Sequence, residues 1–244
     1  MKFLKNHPFA VSAYFERSTV LTFAVPKNQL LPFIPECLEL DTFQDEWAFV
    51  AVAMVQTKSL RPKGTPKFLG NDFFLIGYRI FVRYTTSYNK RLRGLYIIKS
   101  ETNKKKMEFF GNIFTHYNYT TTDIKVIEEE GYREFSSDNS IFRIKINTDN
   151  LTPDLPSHSP FKTWKEARRY AGPLPFTFTY NKADKSVLII EGVRSNWKPQ
   201  AIDVTDYHFN YLDELNLDNL ILSNAFEITD VPYFWKKGKK DIWK

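Results

Sequence analysis

A single cysteine, Cys37, in 244 residues rules out an intramolecular disulfide framework and makes a reducing compartment the natural home. Glycine is also scarce, at nine residues, while β-branched and aromatic residues are common, a balance that favours strands over helices. No stretch approaches the roughly 20 apolar residues that span a bilayer, and Met1 to Phe15 lacks the apolar block and cleavage site of a secretion signal. The expectation is a cytoplasmic protein with no transmembrane segment. A glycine-rich phosphate loop, a dinucleotide fingerprint and a G-x-S-x-G elbow are all missing. His7, His116, His158 and His208 are too far apart in sequence for a close-spaced metal motif. Neither a metal nor a cofactor is expected.

What the chain has in quantity is aromatic bulk: 22 Phe and 13 Tyr are enough for a sizeable core and for the walls of a cavity. The net charge is +6, which would suit an acidic partner. Residues 234–244, however, hold five Lys and one Asp and supply +4 of it, so the body is nearly neutral. Composition marks no linker, and the expected organisation is one domain over residues 1–233 followed by a basic, Trp- and Lys-rich tail over 234–244. Such a tail could meet anionic lipid or single-stranded nucleic acid, but runs of like charge usually sit in solvent, and no nucleic-acid partner is expected.

Several segments read as strands. Ala48 to Val55 is apolar throughout, as a strand covered on both faces would be. Leu75 to Thr86 alternates, with Ile76, Tyr78, Ile80, Val82 and Tyr84 on one side and Gly77, Arg79, Phe81 and Arg83 on the other. Leu95 to Glu101, Phe142 to Ile146, Phe176 to Tyr180 and Val187 to Val193 are further candidates. Helix signals are fewer. Ser159 and Pro160 open a segment through Arg169 that Gly172-Pro173 closes, Asn103 caps a second that ends at Gly111, and Pro26 to Leu31 is a third. Many strands with a few short helices place the chain in the α+β class, mainly β, as an antiparallel barrel or a strongly curved sheet.

If the face of Arg79 lines a cavity, its guanidinium suits a carboxylate through two parallel hydrogen bonds; the other reading is an exposed barrel exterior. Strict alternation would put Lys99 and Glu101 on one face with Leu95 and Ile97. A desolvated Lys99 could form a Schiff base, though a surface lysine is the commoner case. Cys37 with His116 is a conceivable nucleophilic pair with nothing evident to activate the thiol. Glu191, in an apolar run, requires a partner such as Arg194 or Lys198. Trp197-Lys198-Pro199-Gln200 forms a stiff turn that caps a barrel mouth or plugs the core.

Taken in order, Phe23-Ala24-Val25-Pro26, Leu31-Pro32-Phe33-Ile34-Pro35, Leu38-Glu39-Leu40-Asp41-Thr42-Phe43, Leu60-Arg61-Pro62-Lys63-Gly64, Tyr78-Arg79-Ile80-Phe81-Val82, Gly94-Leu95-Tyr96, Phe109-Phe110-Gly111 and Trp197-Lys198-Pro199-Gln200-Ala201 resemble the uncharacterised YqjF-like family of the acetoacetate decarboxylase-like superfamily. The resemblance implies a cone-like antiparallel β barrel with an internal pocket. True acetoacetate decarboxylases carry adjacent lysines after a Gly-Phe-Pro turn, one of which forms the Schiff base. Here Gly111-Asn112-Ile113 stands at that turn and Phe114-Thr115 at the lysine pair, which argues against the namesake reaction. The resemblance makes Arg79, Tyr96, Phe114 and His116 the pocket candidates, with His116 or Lys99 as the group for proton transfer or amine chemistry. The expectation is a barrel that binds a small carboxylate or carbonyl compound. The alternatives are a lyase, isomerase or hydrolase using His116 and Arg79 or Lys99, and an interaction module acting through the tail. The resemblance is also compatible with a homo-oligomer.

Overall fold

Ala48 to Val55 is apolar at every position because two separate cores meet its two faces. In the computed structural model, which describes residues 4–170 and 174–243, Ala48, Val50, Val52 and Met54 join one core, and Phe49, Ala51, Ala53 and Val55 join another. The next long strand repeats the division. Ile76, Tyr78, Ile80, Val82 and Tyr84 point into the first core, whereas Phe81 points into the second, with the side-chain period of two that a strand dictates.

In chain order the elements are β1 (Val11–Pro26), α1 (Lys27–Leu30), β2 (Glu39–Leu40), β3 (Trp47–Pro62), β4 (Asn71–Thr85), β5 (Arg91–Thr102), α2 (Lys105–Phe114), β6 (Tyr119–Thr121), β7 (Lys125–Glu129), β8 (Tyr132–Ser137) and β9 (Phe142–Asn147). They continue with α3 (Trp164–Tyr170), β10 (Phe176–Asn181), β11 (Ser186–Arg194), β12 (Gln200–Ala201), β13 (Asp203–Phe209), α4 (Asn210–Glu214), β14 (Ile221–Trp235) and β15 (Lys239–Ile242). The strands β14-β1-β3-β4-β5-β10-β11 are neighbours in that order, and pairing of Gly192 to Arg194 with Tyr233 to Trp235 closes them into a ring. Every pairing around the ring is antiparallel except β5 with β10, which is parallel. Closure gives each ring strand a neighbour on both sides, which limits exposed edge on strands this long. The second core lies inside the ring. The first lies outside it, under a four-stranded sheet of order β13-β9-β8-β7 that contributes Phe135, Phe142, Ile144, Ile146 and Phe209. Among the described residues no helix is long and apolar enough to cross a membrane.

The helices differ from expectation in their ends. α2 does not stop at Gly111 but runs on to Phe114, because this glycine serves close packing: a Cβ there would sit 2.4 Å from the Tyr119 ring. Asn103 does not cap it; its Oδ1 accepts from the Phe74 backbone N–H at 2.8 Å instead. α3 starts at Trp164 and not near Ser159, since Thr163 Oγ1 accepts the Glu166 N–H and Glu166 in turn accepts the Lys162 N–H. Its expected stop, Gly172-Pro173, lies outside the described residues. The solvated-tail reading of residues 234–244 is corrected: Phe234 and Trp235 complete β14, and Lys239–Ile242 pairs with β11 while its lysines face water. Glu191 is paired by Lys236 of this segment at 2.8 Å, not by Arg194 or Lys198.

Candidate functional site

Six of the seven ring strands send small or apolar side chains into the ring without filling it. A cavity of about 630 Å³ remains, the volume of roughly twenty waters, walled by residues such as Val20, Ala51, Ala53, Val55, Leu95 and Ile97. α2 lies across it and is fixed there by two hydrogen bonds between the Asn112 side chain and the Tyr119 backbone, at 2.9 and 2.7 Å. The packing of Gly111 on the Tyr119 ring completes the seat. Lining residues that are also exposed mark the opening: Pro62 and Leu69 on one side, Lys106 and Phe110 of α2 on the other.

Arg79 is the charge inside. Gly77, two residues earlier on the same face of β4, leaves its guanidinium room, since a Cβ at 77 would lie 3.0 Å from Nε. Protein surrounds the side chain, yet it keeps accessible surface, and that surface belongs to the cavity. Its Nε is buried with no hydrogen-bond partner, and no carboxylate among the described residues pairs with it. Desolvation lowers its pKa, while neighbouring Tyr233, Tyr119 and Tyr117 oppose the shift. Burial in turn pushes Tyr117 up to about 12. It also raises Tyr119 and Tyr233. At neutral pH all three phenols therefore keep their protons and remain available as donors. None of the described residues lining the cavity is Asp or Glu, whereas His7, Arg61, Arg79 and Lys106 are basic. His7 is buried, its Nδ1 unpartnered and its pKa lowered by burial, so it is neutral at pH 7.

Of the residues singled out by sequence, Arg79 and Phe114 line this cavity. Tyr96, Lys99 and His116 do not. Tyr96 packs on the outer core. Lys99 is turned outward by an irregularity in the β4–β5 pairing: Tyr78 faces Lys99, but Arg79 faces Ile97, so Ile98 is an extra residue. Leu95 and Ile97 consequently point in together with Ser100, while Lys99 lies 4.5 Å from the Tyr211 ring centre and 3.2 Å from Glu101. The Nε2 of His116 is 3.4 Å from Asn6 Oδ1, outside the lining. Cys37 sits in the outer core with its thiol pushed up to about 11 by burial, so it is no partner for His116. Arg83 joins Arg93 on fully buried Asp41 and is structural. Trp197 lines the cavity beneath Arg194. Sequence reasoning missed His7, Tyr117, Tyr119 and Tyr233. Only the two-residue spacing of Tyr117 and Tyr119 hinted that two rings share a face. Among the described residues no cluster of His, Cys, Asp and Glu is arranged to hold a metal ion.

Comparison with known proteins bears on the fold. The sequence profile of DUF2071, described as an uncharacterized conserved protein, matches residues 13–232. No curated protein matches the sequence significantly. Acetoacetate decarboxylase from Legionella pneumophila superposes with a TM-score of 0.60 at 13% identity, over 94% of this chain and 86% of that one. The enduracididine biosynthesis enzyme MppR, solved with the condensation product of pyruvate and imidazole 4-carboxaldehyde, gives 0.56 at 10% identity, over 96% and 89%. An acetoacetate decarboxylase-like enzyme from Sphingomonas wittichii RW1 gives 0.54 at 10%, over 96% and 92%.

Proposed function

The chain belongs to the DUF2071 family and has the acetoacetate decarboxylase-like fold; from that premise we propose that it binds a small organic acid, whose carboxylate meets Arg79 and whose apolar body fills the cavity. The observation that carries this reading is a guanidinium held inside a largely apolar cavity with no carboxylate among the described residues to neutralise it. An unpaired interior charge costs several kcal/mol, and a ligand anion offsets that cost by accepting two parallel hydrogen bonds. The protonated phenols of Tyr117 and Tyr119 supply further donors near the same point. The fold neighbour MppR, solved in complex with pyruvate, supports a keto or carboxylic acid as the ligand class. The volume of about 630 Å³ leaves room for a ligand larger than pyruvate and falls within the usual ~300–1,000 Å³ of small-molecule sites.

Binding is favoured over imine chemistry by the placement of amines. Among the described residues the one lysine in the lining, Lys106, is exposed at the mouth, and Lys99 is turned away and paired with Glu101. A calorimetric screen of keto and carboxylic acids of increasing chain length tests the reading. A saturable binder that Arg79→Gln weakens is expected; a screen that finds none, or an Arg79→Gln chain that binds unchanged, removes it.

A further inference from the structure

The mouth of the cavity differs from the rest of the surface. Phe68, 84% exposed, and Leu69 stand on one side of it, and Phe109, 62% exposed, and Phe110 on the other. From Phe109 a file of rings runs inward: Phe109 to Phe110 at 5.3 Å, Phe110 to Phe114 at 6.4 Å, Phe114 to Phe9 at 5.1 Å, and the last three line the cavity. Exposed apolar groups are thus continuous with an apolar interior. The same two segments carry Lys63, Lys67, Lys104, Lys105 and Lys106, all exposed. None of these lysines forms an ion pair among the described residues; Lys63 lies over the Phe234 ring. The carboxylates nearest in sequence are engaged elsewhere, Asp72 by the Ser59 N–H, Glu101 by Lys99 and Glu108 by Thr121.

We propose that this mouth docks on an anionic lipid surface, with Phe68, Leu69, Phe109 and Phe110 entering the interface and the lysines meeting the headgroups. Apolar tips ringed by cations are the composition that interfacial binding requires, because area burial and attraction to anionic lipid act together. A second copy of the chain is the poorer fit: a two-fold contact would set the same unpaired lysines against one another. Docked in this way, the cavity opens toward the bilayer, so an amphipathic ligand passes between lipid and barrel without crossing water.

Flotation of the full chain with vesicles of phosphatidylcholine alone, and of phosphatidylcholine containing phosphatidylserine, tests the proposal. The chain should float with the anionic vesicles only and be released by high salt. Lys105→Ala should weaken partitioning about fivefold. A Phe68→Ser/Phe109→Ser variant, altered at two exposed side chains, should weaken it at least about tenfold. Flotation with neither vesicle or equally with both, a double variant that floats like the wild type, or wild-type dimers that this variant abolishes would overturn it. Arg79 takes no part in docking, so carboxylate binding measured in solution on the same double variant separates failure of this proposal from failure of the preceding one.

Discussion

Replacing Arg79 with Met removes an interior cation that no carboxylate among the described residues pairs with and keeps a side chain long enough to cover Gly77. Without ligand, the variant should gain about 1 kcal/mol, a rise of ~2–4 °C in a chain this size, while losing carboxylate binding. A thermal midpoint that falls would mean that the guanidinium is structural. Gly111→Ala should act against helix propensity. Alanine is the better helix former by about 1 kcal/mol, yet its Cβ would press on the Tyr119 ring at 2.4 Å, so a net loss of about 1–3 kcal/mol is expected in a denaturant titration. His7 gives a pH signature. Burial lowers its folded pKa, so its contribution to stability is present above the ordinary value of 6.5 and is lost as pH falls through the lowered folded value. His7→Asn, which tolerates the φ of +51° at this position, should flatten that acid limb in unfolding curves below pH 6.5. An unchanged slope would assign the limb to other groups, His116 among them.

At the scale of elements, legibility followed hydrophobic contrast. β3 and β4 could be read because their two faces are apolar, or apolar and mixed, in strict alternation. β1 and β14 were not, although each is a long ring strand: Ser18, Thr19 and Thr22 in one and Ser223 and Asn224 in the other are buried polar residues that interrupt the pattern. Where alternation held, at Arg79, the sequence left cavity and exterior as open readings and the chain places the residue on the cavity; where alternation broke, the face was misjudged. One inserted residue at Ile98 reverses the face of everything after it, so Lys99 reads as interior and lies outside. β15 was hidden by its charge, because lysines that face water on a paired strand look like a free tail. Its attachment is testable through Asp241, which accepts from Tyr84 Oη at 2.7 Å and from the Ser87 N–H and Oγ at 2.9 and 2.6 Å. Asp241→Ala strands the hydroxyl of fully buried Tyr84 and should cost about 1–3 kcal/mol; a loss below ~0.5 kcal/mol would show that β15 contributes little to the ring.

For the whole molecule, the closed ring determines what kind of site forms. Seven strands enclose more space than their inward side chains occupy, and the unfilled part is mostly apolar, with Arg79, His7, a group of tyrosines and a few hydroxyl groups inside and a basic mouth. That distribution favours ligands with an anionic head and an apolar body. The sharpest test compares decanoate with decanol by titration calorimetry on the wild type and on Arg79→Gln. The two ligands share a chain and differ in the group offered to the guanidinium. The wild type should prefer decanoate by about 10- to 100-fold, the worth of a charge-assisted hydrogen-bonded contact, and Arg79→Gln should abolish the preference while decanol binding stays the same. Equal binding of both ligands by the wild type, or a preference that survives Arg79→Gln, would contradict this role of Arg79.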